Sequence, residues 1–434
     1  MKNISTAITG LGPVSAIGCG AEPFWKSLVK GRHGFGPITL CDVSRSPSKI
    51  GAEVRDFQLE HFVEDGQRLS RRLPRPVQFA LAAAALAVKD AGLESGALAP
   101  ERIGMCVGTS IGNIGDALVA RDRWLNSPGE PFSPETAFHL FNHSAACVLS
   151  SYFDLRGPIQ TVSTGCNSGL DAIGFASRLI QVGAADIMLV VGTDCELVPE
   201  ILAALNSSKS LATRYNDQPG RASRPFDVNR DGNVIGEGAA ALVLEAESHA
   251  QSRRARCYAR FAGYASCAAG RQRRYSHSHP EMDLRPCVRT LQGAMSAAGW
   301  QPGDVDLVNA NGSSSVMYDR LEALALAEAF GEHFPNLGVH SIKSMLGQHG
   351  AGSSALQVAA SCLSIEHGII PPTINYEQVD PECRALRVVT RAENCHPQNI
   401  LVHAIGFGGF YYSCGALAAP TQSLFQTLKQ EDLQ

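Results

Sequence analysis

Along this chain, short apolar runs that end in glycine plus a small polar residue alternate with longer stretches of helical period. "TAITGLG" (Thr6 to Gly12), "IGMCVGTS" (Ile103 to Ser110) and "DIMLVVGTD" (Asp186 to Asp194) are nearly unbroken apolar runs, as strands covered on both faces require. Each delivers its last residues to a loop at one sheet edge. Between the first two, "PVQFALAAAALAVKDAGL" (Pro76 to Leu93) predicts a helix opened by Pro76 and stopped at Gly92.

The second half repeats the arrangement. "CVRTLQGAMSAAGW" (Cys287 to Trp300) predicts a helix with Val288, Leu291 and Met295 on one face. "DVDLVNANG" (Asp304 to Gly312) follows it, as the strand at Ile103 follows the helix ending at Gly92. "LGVHSI" (Leu337 to Ile342) and "ILVHAIGFGG" (Ile400 to Gly409) predict later strands. The repetition implies an internally duplicated α/β fold with α-β-α-β-α layers, divided into residues 1–255 and 256–420. Polar, turn-rich "RWLNSPGEPFSPET" (Arg123 to Thr136) and "AAGRQRRYSHSHPEMD" (Ala268 to Asp283) predict surface or interface loops. The tail, 421–434, lacks partners in the pattern and is expected to fray.

Composition narrows the class. With 434 residues, 44% hydrophobic, 18% charged and 42 glycines, the chain reads as a compact globular protein. The formal charge of −4, with basic runs no longer than "RRARCYAR" and "GRQRR", argues against nucleic acid as a partner. An apolar leader with a cleavage site and an apolar run long enough to span a bilayer are both missing, so a cytoplasmic protein without membrane partners is expected. The 13 cysteines follow no CxxC or zinc spacing, which argues against a disulfide framework or a metal.

One cysteine stands apart. In "QTVSTGCNSGLDAIGFASRLI" (Gln160 to Ile180) the extended run Ile159 to Thr164 turns through Gly165 into a helix expected from about Asn167, with Cys166 at its start. Unpaired N–H groups and the helix dipole lower a thiol pKa there, and the small neighbours Gly165, Ser168 and Gly169 leave room for an acyl group. The alternative is a packed, inert cysteine like the others.

Several stretches together resemble the β-ketoacyl-acyl-carrier-protein synthases, the condensing enzymes of fatty acid and polyketide synthesis. They are "ITGLGPVSAIG" with Trp25 and "GRHGFG", "VSTGCNSG" around Cys166, "SLATRYNDQPGRASRPFDVNRDGNVIGEGAAALVLE" (Ser210 to Glu245), "IKSMLG" (Ile342 to Gly347) and "GFGGF" (Gly406 to Phe410). The resemblance covers Ile4 to Ala418 and implies a thiolase-like, internally duplicated five-layer fold.

It also implies roles. Cys166 would take an acyl chain from the phosphopantetheine of an acyl carrier protein, with no further cofactor, and a decarboxylated malonyl unit would extend it. The family's two histidines depart here. In place of Asn-Ala-His-Gly-Thr-x-Thr the chain has "NANGSSS", putting Asn311 at the first histidine, and Gln348 stands at the second, five residues after Lys343, with His349 next to it. Amides donate hydrogen bonds but neither carry charge nor shuttle protons near neutral pH. Loss of one donor to a developing oxyanion costs about 3–4 kcal/mol. Ser313 and Ser315 match the pantetheine-binding hydroxyls. The N–H groups of Cys166 and Phe407 match the oxyanion hole, and the Phe407 ring matches a gate beside the cysteine or packs in the core. Lys343 and Glu237 match site-organising positions, or serve as structural ion-pair partners.

Three functions follow. The first is a chain length factor, the non-condensing partner of an active ketosynthase, favoured by the lost histidines, by "GQHGAG" and by the terminal "GGF". The second is a synthase with an altered triad. The third is a Cys166 acyltransferase or thioesterase that does not decarboxylate. The resemblance further implies a homodimer or a heterodimer with a ketosynthase. The "DIMLVVGTD" strand is expected at the dimer contact, and Ile111, Ile114 and Leu118 are expected to floor the partner's tunnel or to fill the dimer core.

Overall fold

The structure is a computed structural model describing residues 5–93, 99–127, 129, 131–270, 283–383 and 386–421. The tail after Thr421 and the stretch 271–282 of the second expected loop lie outside the described residues.

Ten strands form two units of the same topology. The first contains β1 (Thr6–Ser15), β2 (Ile103–Gly108), β3 (Ile159–Val162), β4 (Ile187–Cys195) and β5 (Ile235–Ala246), in the spatial order β3-β2-β4-β5-β1. The second contains β6 (Ala259–Ala268), β7 (Leu307–Asn309), β8 (Gly338–His340), β9 (Asn399–Ile405) and β10 (Tyr411–Ala418), in the order β8-β7-β9-β10-β6. In both units the first two pairings are parallel and the last two antiparallel. The units join where Thr6 to Ile8 of β1 run antiparallel to Ala259 to Phe261 of β6. Duplication, inferred from a helix followed by a strand in each half, is therefore repeated strand by strand.

Helices complete the five layers. α1 (Arg75–Asp90) covers the outer face of the first unit, while α3 (Arg285–Ala298) and α4 (Val316–Phe330) cover the outer face of the second. α2 (Ser168–Gln181) and α5 (Ala351–His367) lie between the two sheets and touch both. Three apolar cores separate these layers: Phe79 and Leu81 under α1, Leu170, Ile173 and Val358 between the sheets, and Leu291, Met295 and Leu326 under the outer helices of the second unit.

The central layer is thin because glycine makes it so. A Cβ on Gly169 would lie 2.3 Å from the Ala351 carbonyl oxygen, and one on Gly108 would lie 2.2 Å from that of Ser168. α2, α5 and the end of β2 thus meet backbone to backbone, which brings the starts of both central helices together.

Two sequence expectations are corrected. The "DIMLVVGTD" strand, β4, is hydrogen-bonded to β2 on one side and β5 on the other, so it has no free edge to pair with a mate. The first unit ends instead at β3, whose Ile159 is exposed. The expected loop Arg123 to Thr136 is bounded by helices: Ile114–Asn126 runs into it, and Pro134–His139 begins inside it with Ser133 accepting the Glu135 N–H as N-cap.

The close approach at Gly169 yields a first prediction. Gly169→Ala is expected to lower stability by about 1–3 kcal/mol in urea unfolding, because the opposing atom is backbone and cannot step aside. A substitution within about 0.5 kcal/mol of the native protein would contradict the packing described.

Candidate functional site

The strand ends of both units converge on one cavity of about 350 Å³, whose wall includes Cys166, Asn311, Gln348, Ser313, Phe407 and Glu196.

Cys166 lies in the turn from β3 into α2. Gly165 adopts φ +69°, with open space around its would-be Cβ. The Ser168 hydroxyl donates to the Gly165 carbonyl at 2.6 Å and accepts the Thr164 N–H at 2.8 Å, while Asn167 donates to Ser413 at 3.0 Å. Beneath the turn the Asp171 carboxyl accepts from the hydroxyls of Thr164, Ser413 and Tyr264, the last at 2.7 Å. Ser354 of α5 closes the arrangement by donating to the Cys166 carbonyl at 3.0 Å.

The loop after β7 supplies Asn311 and Ser313. Glu322 of α4 accepts the N–H groups of Asn311 and Gly312 at 2.7 and 2.8 Å, and Asp319 accepts that of Ser313 at 2.9 Å. Asn311 Oδ1 accepts from Lys343 Nζ at 3.0 Å and from the Ile405 N–H at 3.2 Å. Two donors on that atom fix the orientation of the amide, leaving Nδ2 for the cavity. The Ser313 hydroxyl has no protein partner.

Gln348 belongs to a turn stitched to the start of β5: its N–H donates to Val234 and its carbonyl accepts from Gly236, both at 2.8 Å. Its side-chain amide and the Phe407 N–H lie near enough to the Cys166 sulfur to favour its thiolate slightly. The thiol is thus approached by two N–H groups, one of them an expected oxyanion-hole group.

Other expected residues lie apart from the cavity wall. His349 turns away to pack against Gly236, where a Cβ would come within 2.6 Å of its Cδ2, and its Nδ1 lies 3.4 Å from the Ser353 hydroxyl. Burial holds its pKa down to about 4, so it is a neutral core residue. Lys343 stays behind Asn311, bonding the Asn311 carbonyl at 2.7 Å and Gln357 at 3.3 Å, and burial brings its pKa down to about 8. Ser315 caps α4 by accepting the Tyr318 N–H. Glu237 accepts from Arg75 through both oxygens, at 2.5 and 2.6 Å, and from the Val54 N–H, which makes it a structural ion-pair partner.

The electrostatics reverse the expectation for Cys166. Desolvation pushes the thiol up to about 11, with the Glu196 charge adding to the rise, against smaller opposing effects from the Phe407 N–H, Lys343 and Gln348. The residue's exposed part faces the cavity rather than bulk water. Moreover, α2 begins at Ser168, two residues after the cysteine. Desolvation outweighs the helix end, and the free protein holds a thiol rather than a thiolate.

Glu196 was not among the expected site residues. It follows β4 directly, accepts the Gly350 N–H, and burial together with the nearby Asp194 charge raises its pKa to about 8. The "DCE" that ends an otherwise apolar strand was the available signal. Asp194 itself accepts from Thr109, from the N–H groups of Ser110 and Ile111 and from that of Ala351, tying the ends of β2 and β4 to the start of α5.

Comparison with known proteins agrees with this layout. The family described as "Beta-ketoacyl synthase, N-terminal domain" matches residues 5–250, and "Beta-ketoacyl synthase, C-terminal domain" matches 258–377. The chain belongs to the β-ketoacyl synthase family, with its thiolase-like fold. It is 37% identical to the tetracenomycin polyketide synthase ketoacyl synthase alpha subunit of Streptomyces glaucescens, over 96% of this chain and 97% of that one. It is 35% identical to 3-oxoacyl-acyl-carrier-protein synthase 2 of Coxiella burnetii, over 94% and 97%. Among solved structures, the ishigamide ketosynthase/chain length factor superposes with a TM-score of 0.86 at 30% identity, covering 96% of this chain and all (100%) of that one. A type II polyketide synthase acyl-carrier protein complex with its hexaketide-bound ketosynthase gives 0.86 at 28%, covering 97% and 100%. Among the described residues no helix is long and apolar enough to cross a membrane.

A pH dependence follows. Folding raises the Glu196 pKa from 4.5 to about 8, so the folded state holds a proton that the unfolded state has lost, and stability falls as pH rises across that interval. Buried His340 and His349, both brought from 6.5 down to about 4, act in the opposite sense, withdrawing stability as pH falls through that window. Glu196→Gln should therefore raise the melting temperature more at pH 8 than at pH 5. An equal shift at both would contradict a buried, proton-holding Glu196.

Proposed function

We propose that this chain is a non-condensing subunit of a type II polyketide or fatty acid system: a chain length factor that pairs with an active ketosynthase and receives acyl groups from an acyl carrier protein. The observation that carries this reading is the pair of amides, Asn311 and Gln348, lining the cavity with the thiol while His349 is turned into the core. Decarboxylation of a malonyl thioester leaves an enolate. An imidazolium facing it would supply a strong charge-assisted donor, whereas an amide supplies a weaker neutral one.

The edge position of β3 and a separate exposed apolar surface suit a partner. Val119 and Leu125 of helix Ile114–Asn126 are each 60% exposed, and Leu140 and Phe141 follow at 54% and 58%. Ile114 begins the same helix and is partly exposed, Ile111 lines the Cys166 cavity, and Leu118 lines a neighbouring depression. Of the three residues expected to floor a partner's tunnel, Ile114 is the most exposed.

A second reading has its own support. The Phe407 N–H aimed at Cys166 and the unpartnered Ser313 hydroxyl suit an acyl thioester on this thiol, which favours acyl holding or transfer without decarboxylation. A condensing synthase with an altered triad is the third.

The test is carbon dioxide release. Purified chain given malonyl-acyl carrier protein should release it at least about a hundredfold more slowly than a ketosynthase with both histidines, and Asn311→His with Gln348→His should raise the rate. Decarboxylation at ketosynthase speed by the unmodified chain would establish the altered synthase instead. Pairing is tested by Thr161→Pro in β3, which should abolish association with a second subunit in sedimentation experiments while leaving the monomer folded. Unchanged association would place the contact elsewhere.

A further inference from the structure

The wall of the Cys166 cavity on the side of helix Pro199–Ser207 is mostly apolar: Ile111, Ile201, Ala204, Leu205 and Ile235 contribute to it. An alkyl chain would suit such a surface. Two side chains break it, Glu196 and Asn233, which are only 7% and 9% exposed.

Both are held firmly by one small framework. Leu197, Leu211 and Ile235 pack into a single apolar cluster, placing the chain on either side of these polar residues. Asn233 is pinned through its backbone, its N–H donating to Ser210 and its carbonyl accepting from Ala212, at 2.8 and 2.9 Å. Glu196 accepts the Gly350 N–H, two residues beyond Gln348. Gln348 in turn pairs with the backbone on both sides of Ile235 and reaches Cys166. One turn, Gly347 to Gly350, therefore couples the thiol to the wall that carries Glu196 and Asn233.

Their hydrogen-bonding capacity is largely unused. Asn233 Oδ1 is shielded from solvent and has no partner, as is Gln348 Oε1. Glu196 meets the Gly350 N–H, and burial favours its neutral form, a carboxylic acid that both donates and accepts. Filling this wall with an unbroken alkyl chain would set hydrocarbon against Glu196 and the part of Asn233 that faces the cavity and return no hydrogen bond to either.

We propose that the acyl group this cavity accepts carries a hydroxyl substituent near its thioester carbonyl, held by Glu196 and Asn233, and that a saturated alkyl chain is the poorer ligand. The proposal rests on reading the cavity as an acyl-pantetheine site and requires no turnover. A site built around a substrate hydroxyl discriminates strongly against the analogue lacking it.

The test uses two stable probes, the pantetheine amides of 3-hydroxyhexanoate and of hexanoate, titrated calorimetrically into the full chain. The hydroxylated probe should bind at least about tenfold more tightly. Glu196→Leu and Asn233→Leu should each shrink that preference to within about twofold, and Glu196→Gln, which keeps a donor and an acceptor, should retain most of it. Asn233→Leu decides the matter if Glu196→Leu fails to fold. Equal or tighter binding of the hexanoyl probe, an unchanged preference in both leucine variants, or binding of neither probe would overturn the proposal. Each result stands independently of carbon dioxide release, so it is distinguishable from a failure of the non-condensing reading.

Discussion

Everything around the cavity depends on the buried hydrogen-bond network beneath the loop after β7. Lys343, Glu322 and His403 are all buried, with His403 Nδ1 2.6 Å from Glu322 and Lys343 bonded to Asn311. Such a cluster is costly to desolvate and is tolerated only when nearly every donor and acceptor is matched. Here the matching is done by the site itself: Glu322 takes the N–H groups of Asn311 and Gly312, and Lys343 takes the oxygens of Asn311. The orientation of the Asn311 amide is therefore a consequence of where these donors lie.

The duplicated fold explains why these groups meet. In each unit the strand ends nearest the central helices deliver a loop, from β3 carrying Cys166 and from β7 carrying Asn311, and the central helices approach closely enough for Ser354 of α5 to bond the Cys166 carbonyl. Glycine at 108 and 169 permits that approach. The cost falls on the thiol, which lies where water is scarce and a carboxyl is near, so its ordinary acidity is suppressed rather than enhanced.

Much of this was legible from sequence, for physical reasons that also mark where legibility ended. Strands such as β2 and β4 are covered on both faces and announce themselves as apolar runs. α1 and α3 lie on outer faces and show a helix opened by proline or an apolar stripe. The helix α5 does not: "AGSSALQVAASCLSIEH" is buried along nearly its whole length, and its alanines and serines trace no amphipathic period. The long strand β5, "IGEGAAALVLEA", was recognised only as part of a family-like stretch. Within the site, the strand-turn-helix setting pointed to Cys166 and the resemblance to the β-ketoacyl synthases to Asn311, Gln348 and Ser313, and all four line one cavity. A resemblance in motifs could not show that His349 faces the core, that Ser315 caps a helix or that Glu237 is committed to Arg75. Those outcomes depend on side-chain direction across non-local contacts. Glu196 was missed because its role comes from burial beside Asp194 and the Gly350 turn, far away in sequence.

The central claim is that Cys166 lies in a desolvated cavity whose wall, among the described residues, carries amides and no imidazole to activate it. Its alkylation rate by iodoacetamide as a function of pH, read by mass spectrometry of the peptide containing Cys166, reports the thiolate fraction directly. With the thiol pushed up to about 11, the rate should climb roughly tenfold per pH unit from pH 6 to pH 9 without levelling. A plateau with a midpoint at or below pH 7 would reveal an activated thiolate and contradict the account.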